Sequence, residues 1–591
     1  MHDLIIRGGT VIDGSGMPAQ NADIAVAGGR IAEIGKLSGT AAHRMIDADG
    51  AIVTPGFIDL HSHYDGQFLW DDQLDPGFSH GVTTTIAGNC GVGFAPARKE
   101  HRSELVEFMT GVEDIPGIVL DEGLDWNWKS FPDYLDRIAD KQYSMDVATH
   151  IPHAPIRLYV MGERALRHEA ATLEDIEAMA ELVKQGMAAG AMGFSTGRII
   201  EHRSANGNHV PGTFASDEEV IALGRAMGAG ERGVFQVAPR GEIGSIFHDD
   251  GSKGRNARLE EHRLLERVAR ASGRPVSYGV LEVPTDPDDA NIMIAQSDRA
   301  RAEGLQIYPQ VSPRGAGLLY MLDGHHTFLL RPSYREVAHL PLAERLVALR
   351  QAERRAAILS EQDAEAGFDD ASMRMTFFQY IKAETPNSFI LSSPLDFEPG
   401  PEQRLEALAA RAGKTCEEFL FDHYTKGDGG NFNVNLVMNY VHGNLDSTRE
   451  FLMNPNVVSG LADGGAHLKS ICDAAMPTFQ LAYWCRDRVR GERIPLEYMV
   501  HKMTGHAADH YGLNDRGRLV VGMRADINVI DYERLTLRLP RMAHDLPSKG
   551  ARILQASQGY VATIVAGAPT RLGDEDTGMR PGRLLRATEI D

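Results

Sequence analysis

The sequence predicts an α/β protein: a (β/α)8 TIM-like barrel carrying a small β-sandwich domain formed by the N- and C-terminal segments. Three observations predict it. Both ends of the chain read as short apolar strands between glycines. The middle repeats a helix, a glycine and an apolar strand, which is the pattern of parallel βα units. About eight such strands can be placed, the number that closes a barrel.

At the N-terminus, Leu4-Ile5-Ile6, Thr10-Val11-Ile12, Ile24-Ala25-Val26 and Ile31-Ala32-Glu33-Ile34 are separated by Gly8-Gly9, Gly14-Ser15-Gly16 and Gly28-Gly29. Near the other end, Asp526–Ile530 and Tyr560–Val565 read the same way. The expected domains are therefore 1–56 with 510–591 for the β part, and 57–509 for the barrel. Phe57–His61, Thr83–Gly88 and Met145–His150 are the first three barrel strands. Thr172 and Asp175 form a capping-box start to a helix that Gly190 stops, and Ala191–Ser195 follows as a strand. Ser216 starts the next helix, before a strand at Val234–Ala238. Helices at about Ala257–Ala271 and Ala290–Ala302 lead, through Gly273 and Gly304, into Pro275–Leu281 and Leu305–Val311. Val457–Leu461 is the eighth strand. The intervening stretch, about 312–456, is too long for a simple connection and is expected to be an insertion over the barrel mouth.

The 591 residues carry 82 acidic and 60 basic side chains, a net charge of −22, with no Lys/Arg run. That balance argues against nucleic acid and anionic membranes as partners. The 4 cysteines contain no C-x-x-C pair and make no disulfide framework. No signal peptide and no long apolar window is evident. A cytoplasmic protein with a small-molecule substrate is expected, and a homo-oligomer is compatible with the sequence.

Barrel chemistry sits at the C-terminal ends of the strands. The first strand ends in His61-Ser62-His63, whose imidazoles, two residues apart in an extended segment, can converge on one metal. With 23 histidines an H-x-H also arises by chance, so its position after Pro55–Leu60 is what counts. The second strand ends in Gly88-Asn89-Cys90-Gly91; a lone cysteine is usually a buried hydrophobe, but flanking glycines favour an exposed loop. The eighth ends in Asp463-Gly464-Gly465-Ala466-His467. A carboxylate there can bind metal and shuttle a proton, or cap a turn. His150 and His153 flank the third strand end. His506 and His510 lie beyond the eighth strand and read as an ordinary helix face, and His325-His326 as loop in the insertion.

The frame LIIRGGTVIDG, PGFIDLHSH, GVTTTIAGNCG, AMGFSTG, ADGGAH and LNDRGRLVVGMRADINVID resembles the amidohydrolase superfamily and, within it, the N-acyl-D-amino-acid deacylase branch. The resemblance covers most of the chain in the right order. It implies a distorted TIM barrel with a β domain from both termini, metal ligation by His61, His63 and Asp463, and Asp463 as general base and acid. It also implies that Cys90 matches the cysteine that replaces a bridging carboxylated lysine in this branch. The chain departs from the family twice. Ala238 stands where the family has its strand-five histidine. After strand six the family reads S-H-H-K, and here Tyr278-Gly279-Val280-Leu281-Glu282 stands instead. Glu282 thus replaces a lysine that would hold a substrate carboxylate.

These readings lead to a metal-dependent hydrolase of non-peptide amide bonds. One Zn²⁺ per chain is expected on His61, His63, Asp463 and Cys90, a donor set suited to zinc. Water activated by that metal would attack the carbonyl, Asp463 would move the proton, and His153 or His467 would stabilise the oxyanion. Because Glu282 would repel a carboxylate, neutral or cationic amides are expected to be better substrates than N-acetyl-D-amino acids, unless Arg157, Arg198, Arg203, Arg240 or Arg314 compensates. Ring opening of a cyclic amide, imide or lactone is the alternative reaction. A barrel that has lost catalysis and serves in binding or assembly is the alternative of another class.

Overall fold

The computed structural model describes residues 1–243, 255–364 and 373–590. Its core is a mixed α/β assembly of parallel strands. Among the described residues, Phe57–Asp59, Val82–Ala87 and Asp146–Thr149 pair in parallel as one sheet. A second parallel sheet runs from Ile151–Pro152 through Gly193–Gly197, Val234–Ala238, Val276–Val280 and Ile307–Val311 to Val458–Ser459. The two sheets meet along the chain at His150. At their other edges, a parallel bridge joins Ser62 to Gly464. There the His63 N–H donates to the Gly464 carbonyl at 2.7 Å, and the Asp463 N–H to the His61 carbonyl at 3.0 Å. These bonds bring the first and last strand ends together.

The local rules that predict the helices operate as expected. The Thr172 hydroxyl accepts from the Asp175 N–H at 3.2 Å and the Asp175 carboxylate accepts from the Thr172 N–H at 2.8 Å, opening the helix Leu173–Ala188. The Gln310↔Val458 pairing makes Ile307–Val311 and Val458–Ser459 neighbours in space, so the stretch between them leaves this sheet and returns to it. It contributes a three-stranded sheet, Ala316–Met321, Phe432–Met438 and Phe389–Ile390, and its own apolar cluster around Tyr320, Phe328, Leu349 and Leu420.

Both termini build one nine-stranded sheet. Ile52–Pro55 pairs antiparallel with Ile527–Ile530, which pairs with Tyr560–Val565. Leu4, Ile6, Val53, Ile527, Val529 and Ile564 share a single apolar cluster. The strands form one continuous hydrogen-bonded sheet, whereas the sequence reading expects a sandwich. The helix Gly505–Tyr511 packs on Ile58, Leu60 and Val458 beneath the parallel strands, and the C-terminal segment returns to the core where the Leu585 N–H donates to the Val147 carbonyl at 2.7 Å. A buried ion-pair network joins sheet to core: Arg516 Nη1 lies 2.6 Å from Asp146 Oδ2, and Arg524 Nη2 lies 3.0 Å from Asp146 Oδ1. No helix among the described residues is long and apolar enough to cross a membrane.

Candidate metal centre

The strand Phe57–Asp59 delivers the two histidines. Asp59 accepts from the His61 N–H at 3.1 Å, which fixes the backbone just past the strand end. His61 and His63 are both buried, with ring centroids 5.3 Å apart. Cys90 Sγ lies 3.4 Å from His61 Nε2, and the ligand atoms of His61, His63 and Cys90 all lie within 4.8 Å of one another. Asp463 Oδ1 faces both rings, 3.4 Å from His61 Nε2 and 3.6 Å from His63 Nε2. Four side chains from three strand ends thus converge on one point.

The loops that carry them are built for close approach. Cys90 and Asp463 sit at φ 56° and 48°, conformations that non-glycine residues seldom adopt. Gly91 follows Cys90 because a Cβ there would lie 2.5 Å from the Gly197 N–H nitrogen. Gly465 allows its loop to pass close to the first strand end, because a Cβ there would lie 2.9 Å from the His63 carbonyl oxygen.

The surroundings orient the donors. His61 Nδ1 donates to Gln310 Oε1 at 2.8 Å, which leaves the Nε2 lone pair facing the cluster. His63 Nδ1 lies 3.3 Å from Glu113 Oε1, a carboxylate only 2% exposed. Burial pulls His61 down to about 4. Burial also pulls His63 down, but the Glu113 and Asp463 carboxylates outweigh it and carry His63 up to about 9. Burial raises Asp463, and His63 and His61 more than reverse that, holding it well below the usual carboxylate range. The cluster therefore favours positive charge between His63, Glu113 and Asp463, and its N, S and O donors suit a divalent cation of the zinc type. Glu113→Gln is expected to weaken that cation's binding about 10–100-fold, read by competition with a chelator.

Other expected residues are placed differently. His467 lies at the rim, 27% exposed in its side chain, with Nε2 3.9 Å from Glu113 Oε2. His153 does not face the cluster. Its Nδ1 pairs with Thr196 Oγ1 at 2.9 Å and its Nε2 with Glu219 Oε1 at 2.9 Å, so neither ring nitrogen is left for an oxyanion. His150 turns to the Tyr511 hydroxyl at 3.1 Å. His506 and His510 lie on the helix beneath the strands, as expected of an ordinary helix face. Glu282 anchors the insertion: its carboxylate accepts from the Val441 N–H at 3.3 Å and lies 3.5 Å from His442 Nε2. Arg157 and Arg198 are held by Glu219 and Glu261.

Sequence reasoning missed Glu113, Gln310, Glu242 and His202. Glu113 carried a readable signal, because it falls four residues after Met109 and eight after Leu105, extending their buried stripe to the residue just past the helix Arg102–Val112. Ala238 and Val280 offer no donor, and Gly279 leaves room that Glu242 fills: a Cβ at Gly279 would lie only 1.6 Å from Glu242 Oε1. His202, from the loop after Gly193–Gly197, lies within the field of His467, His63, Asp463 and His61. Its Nδ1 is buried without a hydrogen-bond partner among the described residues.

The model of the amidohydrolase family matches residues 44–571. A D-aminoacylase of Alcaligenes xylosoxydans xylosoxydans is 28% identical over 589 residues, covering 99% of this chain and 98% of that protein. An N-acyl-D-aspartate deacylase of the same organism is 27% identical over 587 residues, covering 99% and 95%. A solved D-aminoacylase structure, described as having a binuclear metal center with one-metal activation and second-metal attenuation, matches at TM-score 0.64 and 25% identity, covering 99% of this chain and 100% of that one.

Proposed function

The chain belongs to the amidohydrolase family, and from that premise we propose that it is a metal-dependent hydrolase of amide-type, non-peptide C–N bonds in small molecules, similar to the N-acyl-D-amino-acid deacylases. The observation that carries this reading is the convergence of His61, His63 and Cys90 within 4.8 Å, with Asp463 Oδ1 facing both imidazoles. On this reading the two parallel sheets close into an eight-stranded barrel, supported by the Ser62–Gly464 bridge. The barrel unit spans 57–509, with 1–56 and 510–591 as the composite β unit.

His61, His63 and Asp463 would hold the cation, with Cys90 as a further ligand; zinc held there would supply Lewis acidity and make water acidic enough to react near neutral pH. Gln310 and Glu113 keep the imidazoles aimed at it. Asp463, with Oδ1 lying between the two rings, would accept a proton from the attacking water and return it to the leaving nitrogen. His467 donates to the carbonyl oxygen as it gains charge, a role supported by its partly exposed side chain 3.9 Å from Glu113. His153 is a structural residue.

Because Ala238 and Val280 cannot ligate, about one tightly held metal per chain is expected. Elemental analysis after dialysis in metal-free buffer checks this. Two retained equivalents would overturn the one-site arrangement. A stripped protein that hydrolyses a panel of N-acyl amides as fast as the reloaded one would overturn the metal-dependent reading itself.

A further inference from the structure

The loop that carries Cys90 is held on both sides of it. The Gly88 N–H donates to Asp65 Oδ2 at 3.2 Å. Asn89 Nδ2 donates to the Ser62 and Ile86 carbonyls at 3.1 and 2.9 Å. The Gly91 N–H donates to Ser195 Oγ at 3.1 Å, and the Gly91 carbonyl accepts from the Ala154 N–H at 2.9 Å. Cys90 itself is held from another strand. Its N–H donates to Gln236 Oε1 at 2.9 Å, 146 residues further along the chain. Gln236 lies on the strand Val234–Ala238 and is 1% exposed. It stands two residues before Ala238, on the same face of that strand.

Cys90 needs such a hold. Its φ of 56° is unfavourable for a residue with a side chain and persists only where the surroundings impose it. On the other side its carbonyl is packed against Gly197, where a Cβ would lie 2.4 Å from the Cys90 oxygen. With the N–H taken by Gln236 and the carbonyl confined by Gly197, the residue is turned so that Sγ lies 3.4 Å from His61 Nε2. Gln236 is a costly choice for packing alone. Its Nε2 is buried with no hydrogen-bond partner among the described residues, and a buried donor left unpaired is unfavourable. An apolar side chain would fill the same space without that cost, but it would leave the Cys90 N–H free to turn.

We propose that Gln236 is a positioning residue of the metal centre, fixing the Cys90 peptide so that Sγ is presented to the cation beside His61 and His63. The strand that has only Ala238 at its end acts on the centre through the cysteine instead. This rests on Cys90 being a ligand, as the metal-dependent reading has it, and the test separates the two.

Protein stripped of metal and reloaded with Co²⁺ reports a thiolate ligand by its sulfur-to-cobalt charge-transfer absorption in the near ultraviolet. The wild type should show that band. Gln236→Met keeps the volume and removes the acceptor. Gln236→Asn keeps an amide that falls one methylene short of the Cys90 N–H. Both should lose most of the band per bound cobalt and hold zinc about 10–100-fold more weakly in competition with a chelator. Their circular dichroism should be unchanged, because the bonds at Gly88, Asn89 and Gly91 keep the path of the loop. Ser277→Ala removes another buried, unpartnered polar atom, from the residue paired with Gln236 on the next strand, and should leave band and affinity as they are. If Gln236→Met does not fold, Gln236→Asn decides; failure of both to fold makes Gln236 a structural residue and overturns the proposal. A full band per bound cobalt in a folded Gln236 variant overturns it too, as does an equal loss in Ser277→Ala. Wild type that holds cobalt without the band removes Cys90 from the ligand set, and the proposal with it. Wild type that holds no cobalt counts against the metal-dependent reading itself.

Discussion

Asp463→Asn is expected to lower kcat by about 10²–10⁴-fold with little loss of fold. The side chain is the same size, so the loop of Gly464 and Gly465 keeps its path against Tyr64. The backbone is also tolerant, because Asp463 sits at φ 48° and asparagine is among the residues that adopt that region most readily. What is lost is the charge: an amide cannot accept the proton that we propose the carboxylate, 3.4 and 3.6 Å from the two imidazoles, takes. Turnover of a good substrate, with circular dichroism as the check on folding, measures this. A kcat near wild type would show that another group moves the proton.

The second large effect is expected for His61→Ala and His63→Ala, each of which should lose metal and activity together. The two should differ in stability. Removing His61 leaves Gln310, a neutral amide, without its partner at 2.8 Å. Removing His63 leaves Glu113, 2% exposed, without the imidazole 3.3 Å away. A buried acceptor stranded in this way costs about 1–3 kcal/mol, more if it is charged. His63→Ala should therefore be the less stable variant in urea, and adding Glu113→Gln should recover part of the loss. Equal stabilities would mean that Glu113 relaxes to another partner.

The same contrast shows how much of the centre was legible in the chain. His61, His63, Cys90 and Asp463 could be read because each follows an apolar strand, and in parallel βα units the strand ends share one face. Their partners could not. Gln310 lies 249 residues from His61, and nothing local in Ile307–Val311 announces that one side chain turns toward an imidazole. His153 shows the limit from the other side: it lies just past a strand end, but it opens the helix His153–Met161, and Glu219 and Thr196 capture its ring. Position at a strand end does not fix where a side chain points. The order of the parallel strands was legible from length and glycine spacing, while the neighbours of Arg314 depend on how the stretch between Val311 and Val458 folds back.

The sheet shared by both termini also bears on how the protein is made. Ile52–Pro55 needs Ile527–Ile530 as its neighbour, and that partner is synthesised about 470 residues later. At 5–20 residues per second, the emerging edge waits roughly 25–95 s on the ribosome. During that interval Val53 and the apolar face it shares with Leu4 and Ile6 lack their final cover, and an unpaired edge of this kind is a template for the wrong strand. Stopping translation before residue 527 would leave the first strands of the chain permanently without that partner, so such fragments should accumulate with chaperones or in inclusion bodies.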